Sequence, residues 1–576
     1  MAFRAPVSEF TFLCEHVVDF DKVAATEMFA EATPDTVEAV LTEVGRLSEE
    51  VFAPLQRNGD LDPARLENGV VRTSRGFAEG FRAFADGGWM GLSGPAEYGG
   101  MGLPITLTSA LNDMLSASCL SLGLNPLLTQ GQIEALEHHA NDEMKALYLP
   151  KLLSGEWTGT MNLTEPQAGS DVGALRSRAE PKGDGTYAIS GQKIFISWGD
   201  HDFGGNVCHA VLARLPDAAP GTRGISLFMV PKYLVNPDGS LGDANSLRVV
   251  SLEHKLGLHG SPTCVMEYDG ATGWLIGEEH KGMAAMFTMM NNARLNVGIQ
   301  GVGVAEGAYQ AALAYASDRK QGRTPLEGKP GGTGSIVDHA DVRRMLATMK
   351  ADVFASRAIA LACAVALDMQ KATGEAEWSA RAAFLTPIAK AFGTETGICV
   401  AETGLQVHGG MGFIEETGAA QYSRDVRVTS IYEGTNGIQA MDLVARKMMD
   451  GGEMAYALLD EIETCAEQAR DRMPELGEPV WQATETLREA TEWMVAQGDL
   501  NDRFAGSMPY LMGFARVLGG YYHLKAAMAE AETDGPRTRL ARFYIKRLLP
   551  QHQSYLAEAV EGAADLYALS VEELSA

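Results

Sequence analysis

MNLTEPQAGSDVGALRS, residues 161–177, is where the chain changes texture. Ahead of it, from about 36 to 157, apolar residues recur at three-and-four spacing, which predicts helices. TPDTVEAVLTEVGRLSEEVFAPL opens on an N-cap region at Thr33, Pro34 and Asp35, and ALNDMLSASCLSLGL and HANDEMKALYLPKLL continue in the same style. From 158 to about 280, short β-branched or aromatic runs alternate with turns: TYAISGQKIFIS, HAVLARL, GISLFMV, LRVVSL and CVMEYDG. Asp184-Gly185 is a hairpin signal, and runs spaced about ten residues apart predict a small antiparallel β domain. The quoted stretch itself supplies Thr164, Gly169, Ser170 and Gly173, which can bring backbone amides close to an anion or a ring edge. Standing alone, it reads more readily as a plain connecting loop.

Helical pattern returns from about 281 to 450, broken by the Gly/Pro-rich loop LEGKPGGTGS at 326–335. A last helical section runs from 451 to 576, and residues 1–35 form an extension with little periodicity. The expected divisions are therefore 1–35, 36–157, 158–280, 281–450 and 451–576. The fold class is α+β: an N-terminal helical domain, a middle antiparallel β domain, a C-terminal helical bundle and an extra C-terminal helical domain. Strands and helices do not alternate, which disfavours a doubly wound parallel sheet.

The 576 residues exceed what one core supports, so several domains are expected. A formal net charge of −28 argues against binding a phosphate backbone or docking on an anionic membrane. The seven cysteines include no CxxC pair, which suits neither a zinc site nor a disulfide framework and predicts a reducing cytoplasm and no metal. The start, MAFRAPVSEFTFLCEHVVDFDK, lacks a basic segment followed by an apolar run, so no secretory signal is read there. AIALACAVAL, 358–367, is too short to cross a bilayer and reads as a buried helix.

Several apparent motifs weaken on inspection. GVGVAEG, 301–307, lacks the dinucleotide-binding spacing and lies inside a helical run, where its glycines are better read as sites of close helix packing. GRTPLEGKP misses the P-loop spacing, and the adjacent His138 and His139 cannot share a helix face. QVHGGMGF places Gly409 and Gly410 where a backbone could approach a ligand, or where a helix simply ends. SIYEGTNGIQ, 430–439, sets Glu433 between Tyr432 and Gly434; it is either a surface acid at a helix start or a general base in an apolar pocket.

Taken in order, TEPQAGSD, GQKIFIS, ARLNVGIQGVGVAEGAYQAALAYASDRKQ, QVHGGMGF and SRDVRVTSIYEGTNGIQ resemble the acyl-CoA dehydrogenase flavoprotein family over roughly residues 36–450. The overall build is similar to a longer subgroup that includes the 3-(methylthio)propanoyl-CoA dehydrogenases of dimethylsulfoniopropionate breakdown. The resemblance implies FAD as cofactor, an acyl-CoA substrate, an electron-transferring flavoprotein as acceptor, a homodimer, and conversion of the thioester to its trans-2-enoyl-CoA. It assigns Glu433 as the base. Leu163, Thr164, Gly169 and Ser170 form an FAD loop, Ser170 also meeting the CoA arm. Phe195, Ile196 and Ser197 lie along the flavin, with Phe and Ser replacing the family's usual Trp and Thr. Arg319 and Gln321 reach a neighbouring subunit's FAD, although RKQGRTP lacks the common Phe-Gly that follows. Gln406, Gly409 and Gly410 hold the diphosphate half, and Thr435 and Gly437 complete the FAD contacts, Gly437 standing where some members have Gln. Asn291, where an Asp is common, and Arg294 face the substrate, and Gly434 lies beside the thioester.

The implied chemistry has a clear demand. A thioester α-proton is too weak an acid for a solvated carboxylate. A water-poor pocket raises the carboxyl pKa, and the base's own N–H together with an FAD ribityl hydroxyl stabilises the developing enolate. Three alternatives stay open: a dehydrogenase or an oxidase for another acyl-CoA, a membrane-bound long-chain enzyme, and a non-catalytic nucleic-acid-binding flavoprotein using Arg537, Arg539, Arg542, Lys546 and Arg547.

Overall fold

In the computed structural model, which describes residues 3–323, 333–530 and 534–576, the helical periodicity before residue 157 folds as Pro34–Leu47, Phe77–Asp86, Ile105–His139 and Asp142–Leu153. Most of the 326–335 loop falls outside the described residues. The chain forms two compact units. One comprises Arg46–Thr108 and Ser118–Ala293; the other comprises the residues up to Gly45, Ser109–Ala117 and Arg294 onward. In chain order the architecture is N-terminal helices, a middle β-sheet, a bundle of long helices and extra C-terminal helices.

The first unit holds the sheet: β1 (Trp157–Asn162), β2 (Arg178–Pro181), β3 (Tyr187–Ser197), β4 (Asn206–Arg214), β5 (Ile225–Pro231), β6 (Leu247–Leu252) and β7 (Thr263–Ile276). The 14-residue β7 is the organiser. Its first part lies between β6 and β3, and its end pairs with β5, which returns through β4 and β2 to β3. The strands thus close on themselves around Ala179, Ile189, Ile196, Val211, Phe228, Val230 and Met266. Pairing is antiparallel except that β1 and β2 run parallel to β4. Those two contacts depart from the expected all-antiparallel sheet. β4 and β5 are buried along nearly their whole length, so they show continuous apolar runs in place of alternation, and a partner's direction is illegible in such a run.

The second unit is a bundle built on Gly282–Asp318 from its Arg294 onward, Ala340–Thr373 and Ala376–His408. GVGVAEG is a packing surface, as its position in a helical run predicts. A Cβ at Gly301 would meet Gly393 O at 2.3 Å, and one at Gly303 would meet Asp113 O at 2.4 Å. AIALACAVAL is buried within Ala340–Thr373, and among the described residues no helix is long and apolar enough to cross a membrane.

The first 35 residues are more ordered than their weak periodicity suggests. Val7–His16 and Phe20–Ala24 are helices that bury Phe10, Leu13, Phe20 and Val23. Glu9 enters a balanced buried cluster: Lys350 donates to it at 2.8 Å and Arg357 also binds it, while Arg357 grips Asp113 at 2.9 and 3.0 Å and Glu306 at 3.1 Å. Burial alone would raise the Glu9 carboxyl, but Lys350, Arg357 and Arg537 hold it well below the usual range. Arg537 thereby belongs to an internal network, while Arg542 pairs with Asp534 and Glu475 and Arg539 donates to the Asp534 carbonyl. Three of the five cations considered for nucleic acid are therefore engaged within the protein.

Candidate active site

The loop after β1 is pinned from beneath by one carboxylate. Glu165 accepts from Lys193 Nζ at 2.9 Å, Ser177 Oγ at 2.6 Å, Gln167 Nε2 at 2.6 Å, and the backbone N–H groups of Arg176 and Ser177 at 2.7 and 3.0 Å. Lys193 also donates to Leu163 O at 3.0 Å, and Ile194 N–H donates to Thr164 O at 2.9 Å. Burial would raise the Glu165 carboxyl, yet Lys193 and these donors bring it to about 2. Leu163 and Thr164 are thus fixed against β3, while Gly169 and Ser170 stay exposed, with open space where a Gly169 Cβ would stand.

Opposite that loop, β3 carries an extra residue. Ile196 pairs with Cys264 and Lys193 with Met266, so Ile194 and Phe195 together oppose Val265. Phe195 absorbs the bulge with φ of +60°, and the residue is 59% exposed. Ile196 is buried, and Ser197 pairs with Thr263. Trp198, also left-handed at +54°, is buried with its indole N–H on Ser121 O at 3.2 Å. A large aromatic residue at positive φ with its ring facing outward is a backbone outlier of the kind found at ligand sites. Asn291 belongs to the same unit and is exposed.

In the helical unit, Glu433 lies on a turn between the short helix Arg427–Ser430 and the helix Asn436–Ala445. Glu433 and Gly434 are consecutive left-handed residues, at +56° and +86°. Gln439, 1% exposed, donates its Nε2 to both of their carbonyls at 3.3 and 3.4 Å. A Cβ at Gly434 would stand 2.7 Å from that nitrogen, which is why this position takes glycine. Thr435 caps the following helix, accepting from Ile438 N–H at 3.3 Å, and Gly437 is exposed. Tyr432 donates its hydroxyl to Gln300 Oε1.

The Glu433 carboxylate keeps some exposed surface, but the protein packed around it raises its carboxyl above the usual value, and Arg294 and Lys390 pull the other way. Among the described residues no donor bonds that carboxylate, and the Glu433 N–H is also unpaired. Lys390, with no exposed surface, donates to Asn436 Oδ1 at 2.8 Å, and Asn436 Nδ2 donates to Glu395 Oε1 at 2.7 Å. Lys390, Gln439, Asn436, Glu165 and Lys193 did not emerge from sequence reading. The one available signal was a lone lysine in the apolar run LTPIAKAF.

The remaining predicted residues sit at one end of the bundle. Tyr315 stacks on His408 with ring centroids 4.5 Å apart, which joins the ends of Gly282–Asp318 and Ala376–His408. Arg319, Gln321, Gln406, Gly409 and Gly410 are all exposed there, and Cβ atoms on Gly409 and Gly410 would meet open space. Met411, Phe413 and Ile414 follow as exposed apolar residues, Phe413 at 93%. Among the described residues no hydrogen bond joins them to the Glu433 turn. Among the described residues no cluster of His, Cys, Asp and Glu is disposed to hold a metal.

The chain matches the "Acyl-CoA dehydrogenase, N-terminal domain" family over 35–156, its "middle domain" over 160–271 and its "C-terminal domain" over 280–449. Residues 458–570 match "Acetyl-CoA dehydrogenase C-terminal like". It is 46% identical to the 3-methylmercaptopropionyl-CoA dehydrogenase of Ruegeria pomeroyi over 92% of each chain. It is 32% identical to the broad-specificity linear acyl-CoA dehydrogenase FadE5 of Mycobacterium tuberculosis, over 95% of this chain and 96% of that one. The crystal structure of Caenorhabditis elegans ACDH-11 in complex with C11-CoA shares the fold, with a TM-score of 0.79 over 94% of this chain and 91% of that one at 20% identity.

Proposed function

The chain belongs to the acyl-CoA dehydrogenase family, an FAD-dependent enzyme family acting on acyl-CoA thioesters, and from that premise we propose that Glu433 is its catalytic base. The observation that carries this reading is the Glu433 turn. A carboxylate raised by the protein packed around it and, among the described residues, bound by no donor is free to take a proton, and the N–H of the same residue, unpaired among those residues, is free to bond a thioester oxygen. The two consecutive left-handed residues hold both groups in place, and Gly434 leaves room beside them for the acyl carbon.

Leu163, Thr164, Gly169, Ser170, Phe195, Ile196, Ser197, Thr435 and Gly437 would hold FAD. The out-turned Phe195 ring and the open space at Gly169 suit a flat aromatic group and its phosphates. When bound, FAD supplies acceptance of the β-hydrogen as hydride. Glu433 takes the α-proton onto its carboxylate, and its N–H opposes the charge that develops on the thioester oxygen. Ser170, Asn291, Arg294 and Gly434 are the proposed substrate contacts. Arg319, Gln321, Gln406, Gly409 and Gly410 would reach the FAD of a second copy, a reading supported by their shared exposure beside the apolar Met411, Phe413 and Ile414. A homodimer, a cytoplasmic location, an electron-transferring flavoprotein as acceptor and the five-part division of the chain belong to the same proposal.

The proposed reaction is 3-(methylthio)propanoyl-CoA to 3-(methylthio)acryloyl-CoA, in dimethylsulfoniopropionate breakdown, supported by the name of the Ruegeria relative. The test is anaerobic bleaching of the bound flavin by a panel of acyl-CoAs. The methylthio substrate is expected to bleach fastest. Comparable bleaching by linear acyl-CoAs of many lengths would transfer the substrate assignment to the FadE5-like alternative.

A further inference from the structure

We propose that Lys390 is a positioning residue for the base: its ammonium anchors the Glu433 turn through Asn436 and, bonded to no carboxylate among the described residues, presents its positive charge to the Glu433 carboxylate. The inference rests on Glu433 being the base. Lys390 lies in the middle of Ala376–His408 and exposes no surface. A buried ammonium that serves only packing is normally met by a carboxylate, as Lys193 is met by Glu165 at 2.9 Å. Lys390 instead bonds a neutral amide oxygen, Asn436 Oδ1, at 2.8 Å. Its carboxylate neighbour Glu395 is held one step away, on the Asn436 Nδ2 at 2.7 Å. Thr394 Oγ1 completes the fixing of Asn436, which accepts from it at 3.2 Å and donates to it at 3.0 Å. Asn436 opens the helix that follows the Glu433–Gly434 turn, so a tie to Lys390 holds the end of that turn.

The charged groups around the pair are few. Arg294 and Lys390 face Glu433, and Glu433, Glu395 and Arg294 face Lys390; Tyr432 lies next to Glu433, and burial and that carboxylate both keep its phenol protonated. Burial pulls the ammonium down to about 8, so its charge is present through neutral pH and fades on the alkaline side. While present, that charge favours the carboxylate form of Glu433, the form that accepts a proton. The residue therefore moves the pH at which the base becomes competent, and a packing role would not.

The test is the pH dependence of kcat for the FAD-loaded enzyme at saturating acyl-CoA, in wild type, Lys390→Met, Lys390→Gln, Lys390→Arg and Glu433→Gln. The neutral variants are expected to retain flavin and to shift the acid limb of kcat to higher pH. Their loss should be roughly tenfold at the acid end and within about twofold on the alkaline plateau. Lys390→Arg, which keeps the charge, is expected to keep the limb where it is. An unmoved limb, a uniform loss at every pH, or failure of both neutral variants to fold with flavin would overturn the proposal. Glu433→Gln separates the two readings: if it turns over normally the base assignment falls, whereas if it is inactive the Lys390 profiles test Lys390 alone.

Discussion

Two glutamates, one in each unit, share almost every gross property and come out opposite. Glu165 and Glu433 both sit in turns following a regular element, both are desolvated, and both have a lysine close by. Glu165 receives five hydrogen bonds and its carboxyl falls to about 2; the Glu433 carboxylate receives none among the described residues and is raised. The difference lies in what stands within bonding distance: the Lys193 charge and four further donors meet the Glu165 carboxylate, whereas Arg294 and Lys390 face Glu433 and, among the described residues, nothing bonds its carboxylate. Hydrogen bonds to the charged form turn a buried carboxylate into an anchor, and withholding them leaves its protonated form favoured. The lysines follow the same division. Lys193 spends its charge on Glu165 directly, while Lys390 is separated from Glu395 by an amide.

Exchanging the same substitution between the two sites should give the largest effects. Glu433→Gln is expected to lower flavin bleaching by at least roughly 10²-fold, the size of a well-placed general base, with stability unchanged or slightly raised. Glu165→Gln leaves Lys193 buried without its counter-charge and should cost about 3–5 kcal/mol of unfolding free energy. Stopped-flow bleaching and urea unfolding, run on both variants, form the cross. If Glu433→Gln unfolded early while turning over normally, the two roles would be the wrong way round.

Acid unfolding sharpens the contrast with a smaller signal. The Glu165 carboxyl is depressed in the folded state from an ordinary 4.5 to about 2. It therefore contributes stability that is complete above about pH 4.5 and is lost as pH falls toward 2. Glu433 is raised in the folded state, so between its ordinary value and its folded value the native chain binds the extra proton, and stability falls as pH rises there. Urea midpoints followed from pH 6 downward should drop less steeply for Glu165→Gln than for wild type. Parallel curves would mean that Glu165 contributes nothing to the linkage.

The same contrast explains what could be read in the sequence. Glu433 stood out in the sequence because it lies between a bulky Tyr432 and a bare Gly434, in a motif that resembles a known family. The loop at 161–177 was legible for a similar reason, a cluster of small and hydroxyl residues at the junction of two periodicities. Glu165 and Lys193 were not. They are 28 positions apart and meet only once β1 and β3 have been folded into one sheet. Lys390 and Gln439 are hidden inside apolar helical runs, where a polar residue reads as one imperfection in a core face. The order of helices and strands followed from periodicity, but the parallel placement of β1 did not, because β4 is buried on both faces and carries no alternation.

The smallest predicted effect concerns the other side of the comparison, the strained residue of the β-sheet unit. Phe195 and Glu433 are both left-handed at nearly the same angle, +60° and +56°. The Glu433 turn is held by Gln439, whereas Phe195 is held by a bulge opposite Val265 and the residue lies 59% exposed. Replacing Phe195 by glycine relieves a left-handed conformation that costs a side-chain-bearing residue roughly 1–2 kcal/mol. The replacement also frees the unfolded chain, which costs about 1 kcal/mol in the opposite direction. Little buried area is lost, because the ring is mostly outside the core. The net change in stability of the flavin-free protein should therefore stay within about 1 kcal/mol, while flavin retention, read from the fluorescence of released FAD on dilution, should weaken. A fall of several kcal/mol would make Phe195 a packing residue that happens to face outward. An unchanged flavin affinity would remove the reason for keeping an aromatic ring on a strained, exposed bulge.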